Sequence, residues 1–304
     1  MNKKGRVIQS TGKWYKVSLN GDIVDCRLPG KFRLTKKEVT NPIAVGDYVD
    51  IRIDNDGTGS IQKIYDRDNY LPRQATHGRR GEQILVSNID RAWVVQSVRQ
   101  PKINLGFIDR FLVTCEAYQL RAGIIVNKMD LATKSDQEYV EDITQLYNSL
   151  DYKVVQTSIK TPEINSELIR HLKGNTSVFV GPSGVGKTSL LNEIEPGIDL
   201  RVGEISSYSQ KGKHTTTFAQ LVPISFGGYI VDTPGIRELG LVQIEPSELS
   251  LFFPEMIEPS QECKFYDCTH QHEPKCGVIE AYENGKIDPD RYNSYLNMLD
   301  SLSD

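Results

Sequence analysis

Residues 177–192 read Ser177-Val178-Phe179-Val180-Gly181-Pro182-Ser183-Gly184-Val185-Gly186-Lys187-Thr188-Ser189-Leu190-Leu191-Asn192. An apolar strand pattern runs into a loop of the form G-x-x-x-x-G-K-[ST], and a helical pattern follows it. The chemistry explains the spacing. Glycines let the backbone wrap so that its N–H groups face phosphate oxygens, and the helix N-terminus adds a partial positive charge. Lys187 is expected to reach the β- and γ-phosphates, and the Thr188 hydroxyl to ligate magnesium, with Ser189 opening the helix behind them. This stretch assigns the centre of the chain to the α/β class with a phosphate-binding loop.

Working outward, two more motifs flank the loop. Upstream, the apolar run Ala122–Val126 ends in Asn127-Lys128-Met129-Asp130. At the carboxyl end of such a strand, an open α/β sheet places its ligands. A carboxylate at Asp130 can accept from the N1–H and exocyclic amine of guanine, a donor pair adenine lacks. Asn127 is expected to donate to the other edge of the base, with Lys128 over its plane. Thr157-Ser158-Ile159-Lys160, after the next strand, reads as the companion base loop, with Ser158 as its usable polar side chain. Downstream, Tyr229-Ile-Val leads into Asp232-Thr233-Pro234-Gly235. There Asp232 is expected to hold magnesium and the Gly235 N–H to sense the γ-phosphate. The order base reader, phosphate loop, Asp-x-x-Gly is a rotation of the usual order, which implies a circularly permuted GTPase domain. Chain termini that lie close together can be joined and reopened elsewhere without disturbing the site.

Lys211-Gly-Lys-His214-Thr215-Thr216-Thr217 falls where a threonine should reach magnesium. Thr216 is favoured, with Thr215 and Thr217 as alternatives. The residue after Asp-x-x-Gly often orients the attacking water, yet here it is Ile236, which has no polar group to do so. Slow intrinsic hydrolysis follows as an expectation. His214 is the nearest replacement, in a catalytic role or in a structural, phosphate-contacting one.

The net charge of −4 conceals a gradient. Residues 1–80 hold 16 Lys+Arg against 9 Asp+Glu, while residues 241–304 hold 4 against 13, so the head is basic and the tail acidic. Such polarity suggests separate surfaces with different partners, the basic one suited to nucleic acid. Residues 1–70 alternate apolar and polar in short runs, with Asn20-Gly21 as a hairpin turn. Short, closely spaced strands favour closure into a barrel of OB type, though an SH3-like barrel would look similar. Residues 71–82, with Pro, Gly and the arginines 73, 79 and 80, have linker composition. In the tail, Cys263, Cys268, His270 and Cys276 are spaced C-x4-C-x-H-x5-C. Three thiolates and an imidazole suit one tetrahedral, structural zinc with no open position, His272 being a competing ligand. Cys26 and Cys115 sit in apolar runs as packing residues. No apolar stretch resembles a signal peptide or a bilayer span, so a cytoplasmic chain without membrane contact is expected.

Assembled in this order, the motifs resemble those of the RsgA family of bacterial GTPases. Gly-Pro-Ser-Gly-Val-Gly-Lys-Thr-Ser, Asn-Lys-Met-Asp, Lys-Gly-Lys-His-Thr-Thr-Thr, Asp-Thr-Pro-Gly and the cysteine spacing all fit its pattern; Ile159, where Ala is usual, departs from it. The resemblance implies an OB-fold at 1–70, a linker at 71–82, a permuted GTPase domain at 83–241 and a zinc module, mainly helical, at 242–304. It further implies a monomer that binds GTP and GDP with Mg. Hydrolysis would be stimulated by the small ribosomal subunit, with contacts to its rRNA, at a late checkpoint of subunit assembly. A second reading is a nucleotide-gated RNA-binding module whose turnover is incidental; Ile236 favours that one, Thr188 and Asp232 the first.

Overall fold

The computed structural model describes residues 2–11, 13–19, 21–30, 42–73, 83–198, 219–232 and 244–303. Along the chain come β1 (Lys3–Ser10), β2 (Tyr15–Leu19), β3 (Asp22–Arg27), β4 (Tyr48–Ile53), β5 (Gly59–Ile64), β6 (Tyr70–Arg73), β7 (Gln83–Ser87) and β8 (Arg91–Ser97). Then strands and helices alternate: α1 (Leu105–Ala117), β9 (Ala122–Asn127), α2 (Lys134–Ser149), β10 (Lys153–Gln156), α3 (Ser166–Leu172), β11 (Thr176–Val180) and α4 (Lys187–Ile194). After β12 (Gln220–Pro223) and β13 (Tyr229–Asp232) the tail is helical, with α5 (Pro254–Ser260), α6 (Gly277–Glu283) and α7 (Pro289–Ser303). These elements divide into two compact units. One comprises Met1–Ala92, Leu168–Val180 and Thr188–Glu238; the other comprises Trp93–Glu167, Gly181–Lys187 and Leu239–Asp304.

In the first unit β1, β2 and β3 form an antiparallel meander. β3 runs parallel to β5, β5 antiparallel to β4, and β4 returns antiparallel to β1. That circuit closes a five-stranded barrel in the order of an OB-fold, as the alternation predicts. Val7, Val17, Cys26, Val49, Ile51 and Ile61 fill it, each fully buried. Burial pushes the Cys26 thiol up to about 12, so this cysteine packs as a small apolar group. Leu71–Arg73, which composition places in the linker, is strand paired with β7; arginine and proline there hide the extended pattern. β13 lies between β11, to which it is parallel, and β12, to which it is antiparallel.

The second unit carries the strand order β10-β9-β8. β9 and β10 are parallel, and every residue of β9 is buried, as a strand covered on both faces requires. Gly123 in β9 has no side chain because a Cβ there would collide with the Trp93 ring. The helical tail shares a core with α1, in which Val113 meets Leu249, Phe253, Met256, Tyr295 and Leu299. Within that apolar region Arg291 of α7 is buried, with Nη1 2.7 Å from Asp109 Oδ1 and Nε 2.6 Å from Glu255 Oε1. The Tyr147 hydroxyl donates to the same Asp109 oxygen at 2.6 Å. No helix among the described residues is long and apolar enough to cross a membrane.

Candidate functional site

The phosphate loop leaves β11 at Val180 and enters α4 at Lys187. Two of its glycines are dictated by geometry. A Cβ on Gly181 would collide with the Val95 carbonyl oxygen. Gly186 has φ 89°, in the left-handed region, and a Cβ there would lie 2.7 Å from Asn127 Nδ2. Lys187 Nζ donates to the carbonyls of Gly181 at 2.7 Å and Pro182 at 2.8 Å, which keeps the ammonium within the loop. Val185 is fully buried beneath it.

The base motif sits at the end of β9 and is bonded to this loop. Asn127 is 2% exposed, donates from Nδ2 to Val185 O at 2.9 Å and accepts from Thr157 Oγ1 at 2.9 Å. Its amide therefore ties phosphate loop to base loop, and the bond to Val185 O uses one of its two N–H donors. Lys128 adopts φ 61°, and its Nζ donates to Gly184 O at 2.6 Å and Gln100 O at 2.5 Å. Three segments distant in sequence thus converge on one ammonium.

Met129 N donates to Thr157 O at 3.1 Å, drawing the short 3₁₀ turn Met129–Leu131 against the base loop. Asp130 on that turn is exposed, while Ser158 is fully buried and donates from Oγ to Asp130 Oδ1 at 2.6 Å. Ser158 acts here as the support of the carboxylate. Ile159 is 40% exposed beside it. Sequence reasoning missed Gln100 and placed Thr157 in the base loop without a role of its own. Thr157 adjoins an expected site residue, but Gln100 contributes only a carbonyl, which no residue type signals.

Asp232 ends β13, is 8% exposed, and accepts from Gln220 Nε2 at 3.0 Å. Thr188 follows Lys187 in the first turn of α4. His214, Thr215, Thr216, Thr217, Gly235 and Ile236 lie outside the described residues, as do Arg79 and Arg80.

In the tail, ligand atoms of Cys263, Cys268, His270 and Cys276 all lie within 4.8 Å of one another. Cys263 Sγ is 3.7 Å from Cys276 Sγ and 3.6 Å from His270 Nδ1, and His270 Nδ1 is 3.3 Å from Cys276 Sγ. A tetrahedron with metal–sulfur bonds of about 2.3 Å has edges of about 3.8 Å, so the four residues fit one ion. The compact Cys-x-His pairing selects His270, which is buried, over the exposed His272. Surrounding bonds fix the ligands. Tyr292 and Tyr295 hydroxyls donate to the carbonyls of His270 (2.6 Å) and Thr269 (2.7 Å). The Glu273 carboxylate accepts from Thr269 N, Thr269 Oγ1, Gln271 N and His272 N. Burial would raise the Glu273 carboxyl, but those hydrogen bonds outweigh it and hold the group at about 2.

Comparison with known proteins extends over nearly the whole chain. Residues 64–242 match the model of the RsgA GTPase family, and residues 4–61 that of the RsgA N-terminal domain. The small ribosomal subunit biogenesis GTPase RsgA of Phocaeicola vulgatus is 43% identical over 298 residues, covering 98% of this chain and 96% of that one. Its counterpart in Flavobacterium johnsoniae is 42% identical over 303 residues, covering 97% and 92%. Among solved structures, YjeQ from Thermotoga maritima superposes with a TM-score of 0.83 at 38% identity, covering 99% of each chain. YloQ, a circularly permuted GTPase, gives 0.79 at 32% identity, covering 100% of this chain and 96% of its own.

Proposed function

This chain belongs to the RsgA GTPase family, and we infer that it hydrolyses GTP in the service of small-ribosomal-subunit biogenesis. The observation that carries the nucleotide reading is the joint between the two motifs. Lys128 and Asn127 of the base motif are bonded directly to Gly184 and Val185 of the phosphate loop. Base and phosphates can then be held by one rigid assembly, which suits guanosine nucleotides read at both ends.

Roles follow from chemistry. Asp130, supported by Ser158, takes the two guanine donors, and Lys128 covers the base plane beside Met129. Backbone N–H groups from Gly181, Ser183, Gly184, Val185 and Gly186 face phosphate oxygens, with Pro182, which has no N–H, shaping the turn of the loop, Lys187 neutralising charge and Thr188 and Ser189 opening α4. Thr188 and Asp232 are the residues that would hold Mg, an ion that stabilises charge developing on the phosphates. Thr216 would join them from the preceding loop, and Gly235 would report the γ-phosphate. Ile236 cannot orient water, so His214 or a group from the ribosomal subunit takes that part in our reading. The Cys263, Cys268, His270 and Cys276 set would hold zinc, the usual ion of a closed Cys3His site, and its work is to fasten the tail. The basic head supports contact with rRNA phosphates, which position without reading sequence. A monomer acting in the cytoplasm at a late assembly step is consistent with these parts.

Equilibrium binding tests the nucleotide reading. GTP and GDP should bind, with ATP weaker by at least a factor of about a hundred, because adenine leaves the Asp130 carboxylate without its two matching donors. Comparable affinity for ATP would overturn it. Ile236 specifically favours the second reading, a nucleotide-gated RNA-binding module, which predicts that GTP binding changes RNA affinity while subunits leave turnover unchanged.

A further inference from the structure

We propose that Asn165 is a positioning residue for guanine recognition, its side-chain amide fixing the main chain of Ser158 and through it the Asp130 carboxylate. The inference rests on the reading of Asp130 as the base reader. Ser158 lies beyond the end of β10, where strand pairing no longer supplies partners, and it is fully buried. Buried peptide groups require partners. Asn165, at the end of the 3₁₀ turn Pro162–Asn165 and 1% exposed, supplies both of them. Its Oδ1 accepts from Ser158 N at 3.1 Å, and its Nδ2 donates to Ser158 O at 2.9 Å. A primary amide presents a donor and an acceptor side by side, so this one side chain replaces the missing neighbour strand.

The clamp settles what the serine hydroxyl does. Ser158 Oγ accepts from Lys160 N at 3.0 Å, and its own hydrogen goes to Asp130 Oδ1 at 2.6 Å. A carboxylate can only accept, so the direction of that bond is fixed. Asp130 stands exposed on a turn of three residues, Met129–Leu131, which packs too little to lock its rotamer. Ser158 provides the lock, and Asn165 holds Ser158 in place. None of these bonds is made to the phosphate loop itself; the tie between the two loops runs separately, through Thr157 Oγ1 and Asn127. Loss of Asn165 should therefore blunt discrimination at the base while sparing the phosphate contacts.

The test is equilibrium titration of the full chain with GDP, IDP and ADP, IDP lacking the exocyclic amine that Asp130 would bind. Asn165→Ala should shrink the GDP/IDP preference by about fivefold, equivalent to about 1 kcal/mol. Asn165→Asp keeps an acceptor for Ser158 N–H but sets an anion against Ser158 O, so it should shrink the preference likewise and serves if Asn165→Ala does not fold. In a Ser158→Ala background neither substitution should change the preference further, since the hydroxyl they act through is gone. Equal weakening of GDP and IDP, or an undiminished effect in the Ser158→Ala background, would make Asn165 merely structural and overturn the inference. If the unmodified chain fails to prefer GDP to ADP, the base reading falls and this inference with it. If that preference holds but Asn165 variants keep the GDP/IDP ratio, only the inference falls.

Discussion

Replacing Asp130 with Asn puts an amide N–H where guanine presents its own donors. One of two matched hydrogen bonds becomes a donor–donor contact, at about 3 kcal/mol or roughly a hundredfold in GTP affinity. Xanthine, which carries a carbonyl in place of the amine, should be accepted in its stead. Competitive binding of GTP and XTP to Asp130→Asn reads this directly; unchanged preference for GTP would mean the motif does not read the base. At the phosphate loop, Gly186→Ala meets both a φ of 89° and a close approach of Asn127 Nδ2 at 2.7 Å. We expect nucleotide affinity to fall at least tenfold, as strain of about 1–3 kcal/mol is relieved by moving Asn127 away from Val185. Retention of full affinity in that variant would contradict the geometry of the joint. The contiguous motifs were legible because their chemistry needs neighbours in sequence. The bonds of Asn127 to Val185 and Thr157 were not legible, because they join segments 58 and 30 positions away, and Asn165 left no local signal at all.

The elements that carry these residues are set by caps and buried polar clamps. α2 begins with a capping box in which Asp136 N donates to Thr133 Oγ1 at 3.4 Å and Thr133 N to Asp136 Oδ2 at 2.8 Å, with Thr133 Oγ1 also donating to that oxygen at 2.6 Å. The Thr133 bonds, with Arg99 in support, hold the Asp136 carboxyl at about 2. Because the folded value is depressed below the usual carboxylate range, the contribution is complete above about pH 4 and is lost as pH falls toward 2. Thr133→Ala should lower the melting temperature by about 2–4 °C at neutral pH. The difference should narrow in acid, and a constant difference down to pH 2 would contradict the assignment. Arg291 is a stronger case, since its guanidinium is buried between Asp109 and Glu255. Arg291→Met leaves two carboxylates without their counter-ion and should cost about 3–5 kcal/mol in denaturant titration. Pairing it with Asp109→Leu and Glu255→Met should recover much of that loss. This clamp could not be read from sequence, because 182 positions separate Asp109 from Arg291. The Cys3His set was legible, its ligands falling within 14 residues, yet only the structure shows Glu273 and the tyrosines holding them. One tightly bound zinc per chain is expected by elemental analysis. Strong chelation should melt the tail before the barrel, and a metal-free chain of unchanged stability would contradict a structural role.

For the molecule as a whole, the rotated motif order and the charge gradient were visible at once, since both are properties of the string. The barrel was legible from alternation, although β6 was lost to a Pro- and Arg-rich composition. Residues 199–218 and 233–243, which hold His214, Thr216 and Gly235, lie outside the described residues and stay at the level of motif. A basic head and an acidic tail predict that association with the small ribosomal subunit weakens steeply with salt, as phosphate contacts do. The central claim is a GTPase driven by that subunit, and the most direct measurement is GTP turnover by the purified chain with and without purified small subunits, with ATP as control. The account predicts slow turnover alone, strong stimulation by subunits, and no response with ATP. Tight GTP binding with turnover indifferent to subunits would contradict it.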